Sequence, residues 1–223
     1  MKVKDYINQI IPALKLDDSL EKALVLIEEN KVSELPIINS EDELIGLITE
    51  SFILEQHDFS ISIKESKIPT YLPKGLWAEK HIFEAFSYLS NNQLTIIPVI
   101  DASRKYLGCI SVFDLIPVFE KITVAKEIGG IIVLGVKAAN YSLSDIARIV
   151  EANHAKVLSS FIIAEETNLE DLKVVIKINQ THINRIVASF ERYDYPIMEK
   201  YSDDEEVDPQ YDNLGNFFNY LDL

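Results

Sequence analysis

The sequence has one cysteine and no long apolar run, and both absences exclude classes of protein. The single thiol, Cys109, has no partner for an intramolecular disulfide and belongs to no metal-binding cluster, so we expect no bound metal. The longest apolar stretch, Ile128 to Val136, has nine residues and contains three glycines. A membrane helix needs roughly 18 to 20 apolar residues. The first residues also lack the apolar run of a signal peptide. We therefore expect a cytoplasmic protein with no membrane partner.

Basic clusters are also missing, and the formal net charge is −15. Binding to nucleic acid requires basic patches that replace counterions, so we expect no nucleic-acid partner. The acidity is uneven, because residues 202–223 contain seven acidic residues and no basic residue. The same segment ends in an aromatic stretch that includes Phe217, Phe218 and Tyr220. We predict an acidic linker and then a short helix that docks on the protein's own dimer or on another protein.

An internal repeat with an offset of 62 residues organises the first half of the chain. The offset aligns Pro36 with Pro98 and Gly46 with Gly108 without a gap. Each copy predicts an amphipathic helix, two short strands joined by a polar turn, and a second helix. One unit of this size would be marginally stable alone. We therefore expect two copies that are related by a pseudo-twofold axis and share a core.

These repeats contain the segments SELPII, GLITES and GCISVFDL, and they resemble a pair of CBS domains, which together form a Bateman module. The resemblance covers roughly residues 1–122, and we place the two repeats at 1–60 and 61–124. It implies a non-catalytic regulatory protein that binds an adenosine compound in the cleft between the repeats. The expected ligand is AMP, ADP, ATP or S-adenosylmethionine, and no other cofactor is expected.

The resemblance also implies that a Gly-h-h-Ser/Thr-x-x-Asp segment, where h is apolar, makes the main ligand contacts. A carboxylate there can accept hydrogen bonds from two ribose hydroxyls. The second repeat matches with Ser111 and Asp114, whereas in the first repeat Phe52 stands where the aspartate should be. We therefore expect the ligand at the half-site of the second repeat, completed by residues of the first. The predicted ligand contacts are Ser111, Asp114, Ser33, Leu35 and Thr49.

A structural interpretation of Asp114 remains open, because an acidic residue at this position also caps the helix that follows. This structural interpretation of Asp114 leads to a second hypothesis for the whole protein. The chain would then be a constitutive dimeric adaptor whose ligand site has decayed, and Phe52 is consistent with such decay. A change of stability on addition of nucleotide would separate the two hypotheses.

The second half of the chain predicts the element order βαββαβ, which is typical of a ferredoxin-like antiparallel sheet with helices on one face. With the segment NYSLSDIARIVEANHAKVLSSFI, this order resembles an ACT domain, which we place at residues 125–201, before the final segment at 202–223. The predicted fold class is therefore α/β and α+β. The succession CBS, CBS, ACT resembles the architecture of the acetoin utilization AcuB family, without implying a link to acetoin.

ACT domains often bind an amino acid where a Pro-Gly pair before the first helix lets the ligand approach the backbone. Asn140 and Tyr141 occupy those positions here, and the Tyr141 side chain would block the approach that glycine permits. We therefore predict that this domain forms a homodimer. The expected partners are a second copy of the chain and an unidentified protein target.

No catalytic motif is evident. Gly130-x4-Gly135 is spaced like part of a P-loop, but the lysine that should follow directly is displaced to Lys137. The four histidines are scattered and are expected at the surface, and Cys109 lies mid-strand, where a small buried hydrophobic residue is expected. We therefore predict no catalytic residues and no enzymatic activity.

Overall fold

The structure is a computed structural model that describes residues 1–67, 75–165 and 168–202. The chain divides into two compact units, Met1–Phe119 and Glu120–Leu223. The predicted acidic linker and aromatic segment lie outside the described residues from residue 203 onward. Within the described ranges, no helix has both the length and the apolar character needed to cross a membrane.

The first unit contains two copies of one set of elements. The first copy consists of β1 (Leu14–Lys15), α1 (Leu20–Asn30), β2 (Glu34–Ile38), β3 (Leu44–Thr49) and α2 (Glu50–Leu54). The second copy consists of β4 (Leu76–Trp77), α3 (Phe83–Asn92), β5 (Ile96–Ile100), β6 (Tyr106–Ser111) and α4 (Val112–Thr123), which continues past the end of the unit at Phe119. In each copy the middle strand pairs in parallel with the first strand and antiparallel with the third.

Backbone conformations recur at the offset read from the sequence. Lys31 ends α1 and Gln93 ends α3, and both have a φ of 54°. The strand turns contain Asp42 and Arg104, again 62 residues apart, with φ values of 59° and 67°. Left-handed backbone at non-glycine residues is uncommon. Its repetition at corresponding positions therefore supports the predicted duplication independently of the apolar pattern.

The two copies share a hydrophobic core. All five residues of β2 and all five of β5 are buried, because each strand is the middle strand of its sheet and is covered on both sides. Ile96 and Cys109 of the second copy belong to the same core cluster as Leu35 and Ile48 of the first. Burial of apolar surface between the copies therefore stabilises both.

A buried carboxylate joins the two copies at the start of β2. Glu34 is 2% exposed, and its Oε1 atom accepts hydrogen bonds from the Thr95 amide at 2.5 Å, the Thr95 hydroxyl at 3.0 Å and the Ile96 amide at 2.8 Å. In the repeat register Glu34 corresponds to Ile96, so this interaction has no symmetric counterpart. Three donors on one oxygen compensate the cost of burying the charge.

The second unit is a four-stranded antiparallel sheet with two helices. Its elements are β7 (Ile131–Lys137), α5 (Leu143–Ala152), β8 (Val157–Glu165), β9 (Asn168–Ile178), α6 (Asn184–Arg192) and β10 (Ile197–Tyr201). The strand order is β10-β7-β9-β8. Alternate strand residues such as Ile132, Leu134 and Val174 pack with Ile146 and Phe190 of the helices, so both helices cover one face.

Replacement of Glu34 by alanine should lower the free energy of unfolding by about 2 to 4 kcal/mol, because two backbone amides and a hydroxyl lose their buried acceptor. Urea unfolding followed by circular dichroism would measure the change. Glu29→Ala is the matched control, since Glu29 is exposed on α1, and its effect should stay within about 0.5 kcal/mol. Equal stability of the two variants would contradict a structural role for Glu34.

Candidate functional site

The turn from β6 into α4 holds the two main predicted ligand contacts. The Asp114 amide donates to the Ser111 hydroxyl oxygen at 3.2 Å, while Asp114 Oδ2 accepts from the Ser111 amide at 2.8 Å and from the Ser111 hydroxyl at 2.7 Å. These reciprocal bonds form a capping box at the start of α4. Ser111 is buried and Asp114 is half-buried. The structural interpretation of Asp114 as a helix cap therefore describes its present contacts.

The N-terminal segment occupies the other oxygen of this carboxylate. Asn8 donates its side-chain amide to Asp114 Oδ1 at 3.1 Å, and its backbone amide donates to the Cys109 carbonyl at 2.7 Å. The N-terminal segment runs so close to β6 that a Cβ atom on Gly108 would lie only 2.4 Å from Ile7 Cγ2. Gly108 also has a φ of 141°, which L side chains rarely adopt. Glycine is thus required at this position on two grounds.

The hydrogen-bonding capacity of Asp114 sets what the site can bind. An ionised carboxylate accepts about four hydrogen bonds. Oδ2 already accepts two bonds from Ser111, and Oδ1 accepts one from Asn8. A ribose diol offers two hydroxyl donors, and the remaining capacity of Oδ1 suits only one of them. Full engagement of a diol therefore requires Asn8 to release Oδ1.

Ser33 is connected to the Ser111 turn through Thr95. The Ser33 amide donates to the Thr95 hydroxyl at 2.9 Å, and the Thr95 carbonyl accepts from the Val112 amide at 2.9 Å. The Ser33 carbonyl accepts from the Glu50 amide at 2.8 Å, directly after Thr49. The structure thus links Ser33, Thr49 and the Ser111 turn in one hydrogen-bonded region of the first unit.

Thr49 and Leu35 are occupied within their own repeat. The Thr49 hydroxyl caps α2 by accepting from the Phe52 amide at 3.2 Å, and it lies 3.1 Å from the Ser51 hydroxyl. The Leu35 side chain is fully buried in the core cluster, so a ligand could reach this residue only at its backbone. Phe52 packs against the same core, which accounts for a phenyl ring at the position that aligns with Asp114.

Sequence analysis did not identify Glu34 or Asn8 as parts of this region. Asn8 bonds to Asp114, and the charges of Glu34 and Asp114 both act on the thiol of Cys109. Burial raises the pKa of Cys109 to about 12; a hydrogen bond with the Tyr106 hydroxyl opposes that rise, and the two carboxylate charges add to it. Two carboxylates therefore act on the centre of β6.

A model of the CBS domain family matches residues 3–54, which include the whole first repeat from β1 to α2. The second repeat has the same order of elements and the same backbone signature at an offset of 62 residues. The match and the duplication together support a CBS domain pair in the first unit.

Among curated proteins, the chain is similar to two archaeal enzymes. It is 24% identical over 122 residues to homoserine O-acetyltransferase from Methanohalobium evestigatum, and 23% identical over 118 residues to inosine-5'-monophosphate dehydrogenase from Methanocaldococcus jannaschii. The matches cover 53% and 52% of this chain but 24% and 23% of the enzymes. The chain therefore spans about a quarter of the length of these relatives.

Solved structures to which part of this chain is similar include a CBS domain pair/ACT domain protein from Thermotoga maritima, with a TM-score of 0.49 and 19% identity over 54% of this chain and 98% of that one. A Vibrio cholerae protein assigned to acetoin utilization (AcuB) has a TM-score of 0.49 and 20% identity over 57% and 96% of the two chains. CBSX2 in complex with AMP has a TM-score of 0.47 and 20% identity over 54% and 97%. Each of these likenesses concerns little more than half of this chain.

Proposed function

We propose that this chain is a non-catalytic regulatory protein that binds an adenosine-containing ligand at the Ser111–Asp114 turn. The observation that carries the proposal is the half-buried Asp114 carboxylate, which Ser111 orients through Oδ2 while, among the described residues, Oδ1 accepts a hydrogen bond from Asn8. A carboxylate with one fixed and one exchangeable oxygen is suited to accept a ribose diol. The capping box holds it in place before any ligand arrives.

Binding exchanges one set of hydrogen bonds for another. The ribose hydroxyls replace the Asn8 amide at Oδ1, so the ligand and the docked N-terminal segment compete for the same acceptor. Asn8 also accepts a hydrogen bond from the Ile10 amide at 2.8 Å, and its own amide bonds to Cys109. Release of Asn8 therefore loosens the segment along β6. Ligand binding is in this way converted into a conformational change that a partner can detect.

The charge around Asp114 predicts an order of affinity among the candidate ligands. Glu34 and Asp114 are both acidic, and neither carboxylate forms an ion pair with a basic side chain among the described residues. Each phosphate near them adds repulsion, whereas a positive charge adds attraction. We expect S-adenosylmethionine, whose sulfonium is cationic, to bind more tightly than ATP, with AMP in between.

We infer that the second unit is an ACT-type dimerisation domain. The βαββαβ order and the antiparallel sheet support this assignment. Tyr141 follows a short helical turn at Ala138–Asn140 and packs against the core of the unit, so a large side chain stands where an amino-acid site would need glycine. The dimer would carry the change in the first unit to a protein target.

An alternative function that involves no ligand is the constitutive adaptor, for which the Asp114 contacts would be purely structural.

The enzymatic activities of the curated relatives are not proposed for this chain, because the similarity covers about a quarter of each enzyme. The thiol of Cys109 is fully buried in a strand, and its raised pKa keeps it protonated at neutral pH. A protonated, enclosed thiol is a poor nucleophile, which supports a non-catalytic role.

Thermal unfolding with AMP, ADP, ATP and S-adenosylmethionine tests the proposal. A ligand at 100 times its dissociation constant should stabilise the protein by about 2.7 kcal/mol, a shift of several degrees. Asp114→Asn should weaken binding at least tenfold, since ribose hydroxyls lose a charged acceptor. Asp101→Asn is the matched control, because Asp101 caps the β5–β6 turn through the Ser103 and Lys105 amides. No shift with any compound would favour the adaptor.

Asn8→Ala should raise the affinity for the adenosine ligand about threefold to tenfold, because the amide that competes for Asp114 Oδ1 is removed. Titration calorimetry of wild type and variant with S-adenosylmethionine would measure the change. Gln9→Ala, an exposed neighbour on the same segment, should leave the affinity unchanged. A loss of affinity in Asn8→Ala as large as that in Asp114→Asn would instead make Asn8 a ligand contact.

Cys109 should resist alkylation by iodoacetamide at pH 8 in the folded protein and react in guanidinium chloride. A pKa near 12 reduces the thiolate fraction by about three orders of magnitude relative to an ordinary thiol, and burial blocks the reagent. Ser103→Cys supplies an exposed thiol on the β5–β6 turn as the comparison. Labelling of Cys109 as fast as that of the introduced thiol would contradict its buried, protonated state.

A further inference from the structure

The second unit contains an open cavity that the proposed function does not use. Its volume is about 1190 Å³, and it lies where α5 ends, α6 begins and β10 ends. The polar groups that line it come from the loops after α5 and β9, from the first turn of α6, and from the end of β10. They include His154, Gln180, His182, Arg185, Lys200 and Ser202.

The charge of this cavity is opposite to that of the chain. The protein has 36 Asp and Glu residues against 21 Lys and Arg residues, yet one Arg, one Lys and two His side chains line the cavity, and none of the lining residues is acidic. Arg185 and Lys200 make no ion pair or side-chain hydrogen bond with any residue that the structure describes. Cations grouped without a counter-charge repel one another, so an anion that neutralises them is favoured.

The backbone that carries these side chains is held firmly. The Lys156 amide donates to Asn179 Oδ1 at 2.7 Å, and Gln180 Nε2 donates to the His154 carbonyl at 3.0 Å. The Gly130 amide donates to the Gln180 carbonyl at 2.7 Å. These bonds tie the loop after α5 to the loop after β9. The basic groups therefore project from a preformed frame, which lowers the entropic cost of binding.

The start of α6 adds to the positive potential. The N-cap residue of this nine-residue helix is Ile183, whose side chain makes no capping hydrogen bond, and its carbonyl accepts from the Ile186 and Val187 amides at 2.9 Å each. The helix dipole places partial positive charge at the same end. Arg185 projects from this first turn into the cavity lining. The positive end of the helix dipole and a basic side chain thus lie at the same end of α6.

We propose that this cavity binds an anion through phosphate or carboxylate oxygens. Its volume is ample for a small molecule with several anionic groups. Two sources carry this chemistry: a free polyanion, or the acidic run Asp203–Glu206 of this chain, which follows the cavity residue Ser202 directly in the sequence. Both sources would use the same basic residues, and experiment distinguishes them.

Calorimetric titration of the full chain with inorganic pyrophosphate tests the site. Arg185→Gln combined with Lys200→Gln should weaken binding at least tenfold, because two charge-assisted hydrogen-bond donors are removed. The control combines Lys137→Gln with Arg192→Gln, which removes the same charge from the second unit outside the cavity lining. This control should stay within about twofold of wild type.

A third variant neutralises the acidic run by Asp203→Asn, Asp204→Asn, Glu205→Gln and Glu206→Gln. If wild type binds pyrophosphate and only the Arg185/Lys200 variant loses binding, the site takes a free anion. If binding emerges only after neutralisation and is lost again with the Arg185/Lys200 changes, the chain's own acidic run is the resident anion. Absence of binding in both backgrounds, or an equal loss in the control, overturns the proposal.

Discussion

The first unit depends on the buried carboxylate of Glu34, which holds the starts of β2 and β5 together. Burial of a charge is unfavourable unless donors surround it, and here the donors come from Thr95 and Ile96 of the other repeat. The interaction fixes where Thr95 lies, and Thr95 in turn bonds to Ser33 and Val112. The candidate ligand site is therefore positioned by a contact that apolar packing alone would not specify, because side chains in a core can slide whereas hydrogen bonds have direction.

The duplicated fold could be predicted because the information for it is local. Apolar residues at helical spacing, paired prolines in the middle strands and turns with left-handed residues recur within each repeat, and each is determined by neighbours in sequence. Glu34 and Asn8 could not be found this way. Glu34 bonds to residues 61 and 62 positions away, and Asn8 to one 106 positions away, so each reads in the sequence as an ordinary polar residue.

The predicted ligand contacts differ in how far the local sequence determines their positions. Ser111 and Asp114 adopt one turn because the same residues that would bind a ribose also form a capping box, so local chemistry is sufficient. Leu35 was predicted as a ligand contact, and its side chain belongs to the core because its strand is buried on both faces. A strand covered on both sides gives no alternation, and the sequence therefore carries no signal for which side chains face an opening.

The cap and the ligand contact are compatible roles for Asp114, because they use different oxygens. Oδ2 serves α4 whether or not a ligand is present, and this keeps the carboxylate oriented at no further entropic cost on binding. Oδ1 is shared with Asn8, and a ligand gains only the difference between its own hydrogen bonds and the one it displaces. Affinity at such a site is lower than at a vacant carboxylate, and in the proposed mode of binding the Asn8 side-chain amide leaves Oδ1. A site of this kind binds its ligand less tightly but couples binding to a conformational response. Regulation requires such a response, whereas a purely structural cap does not.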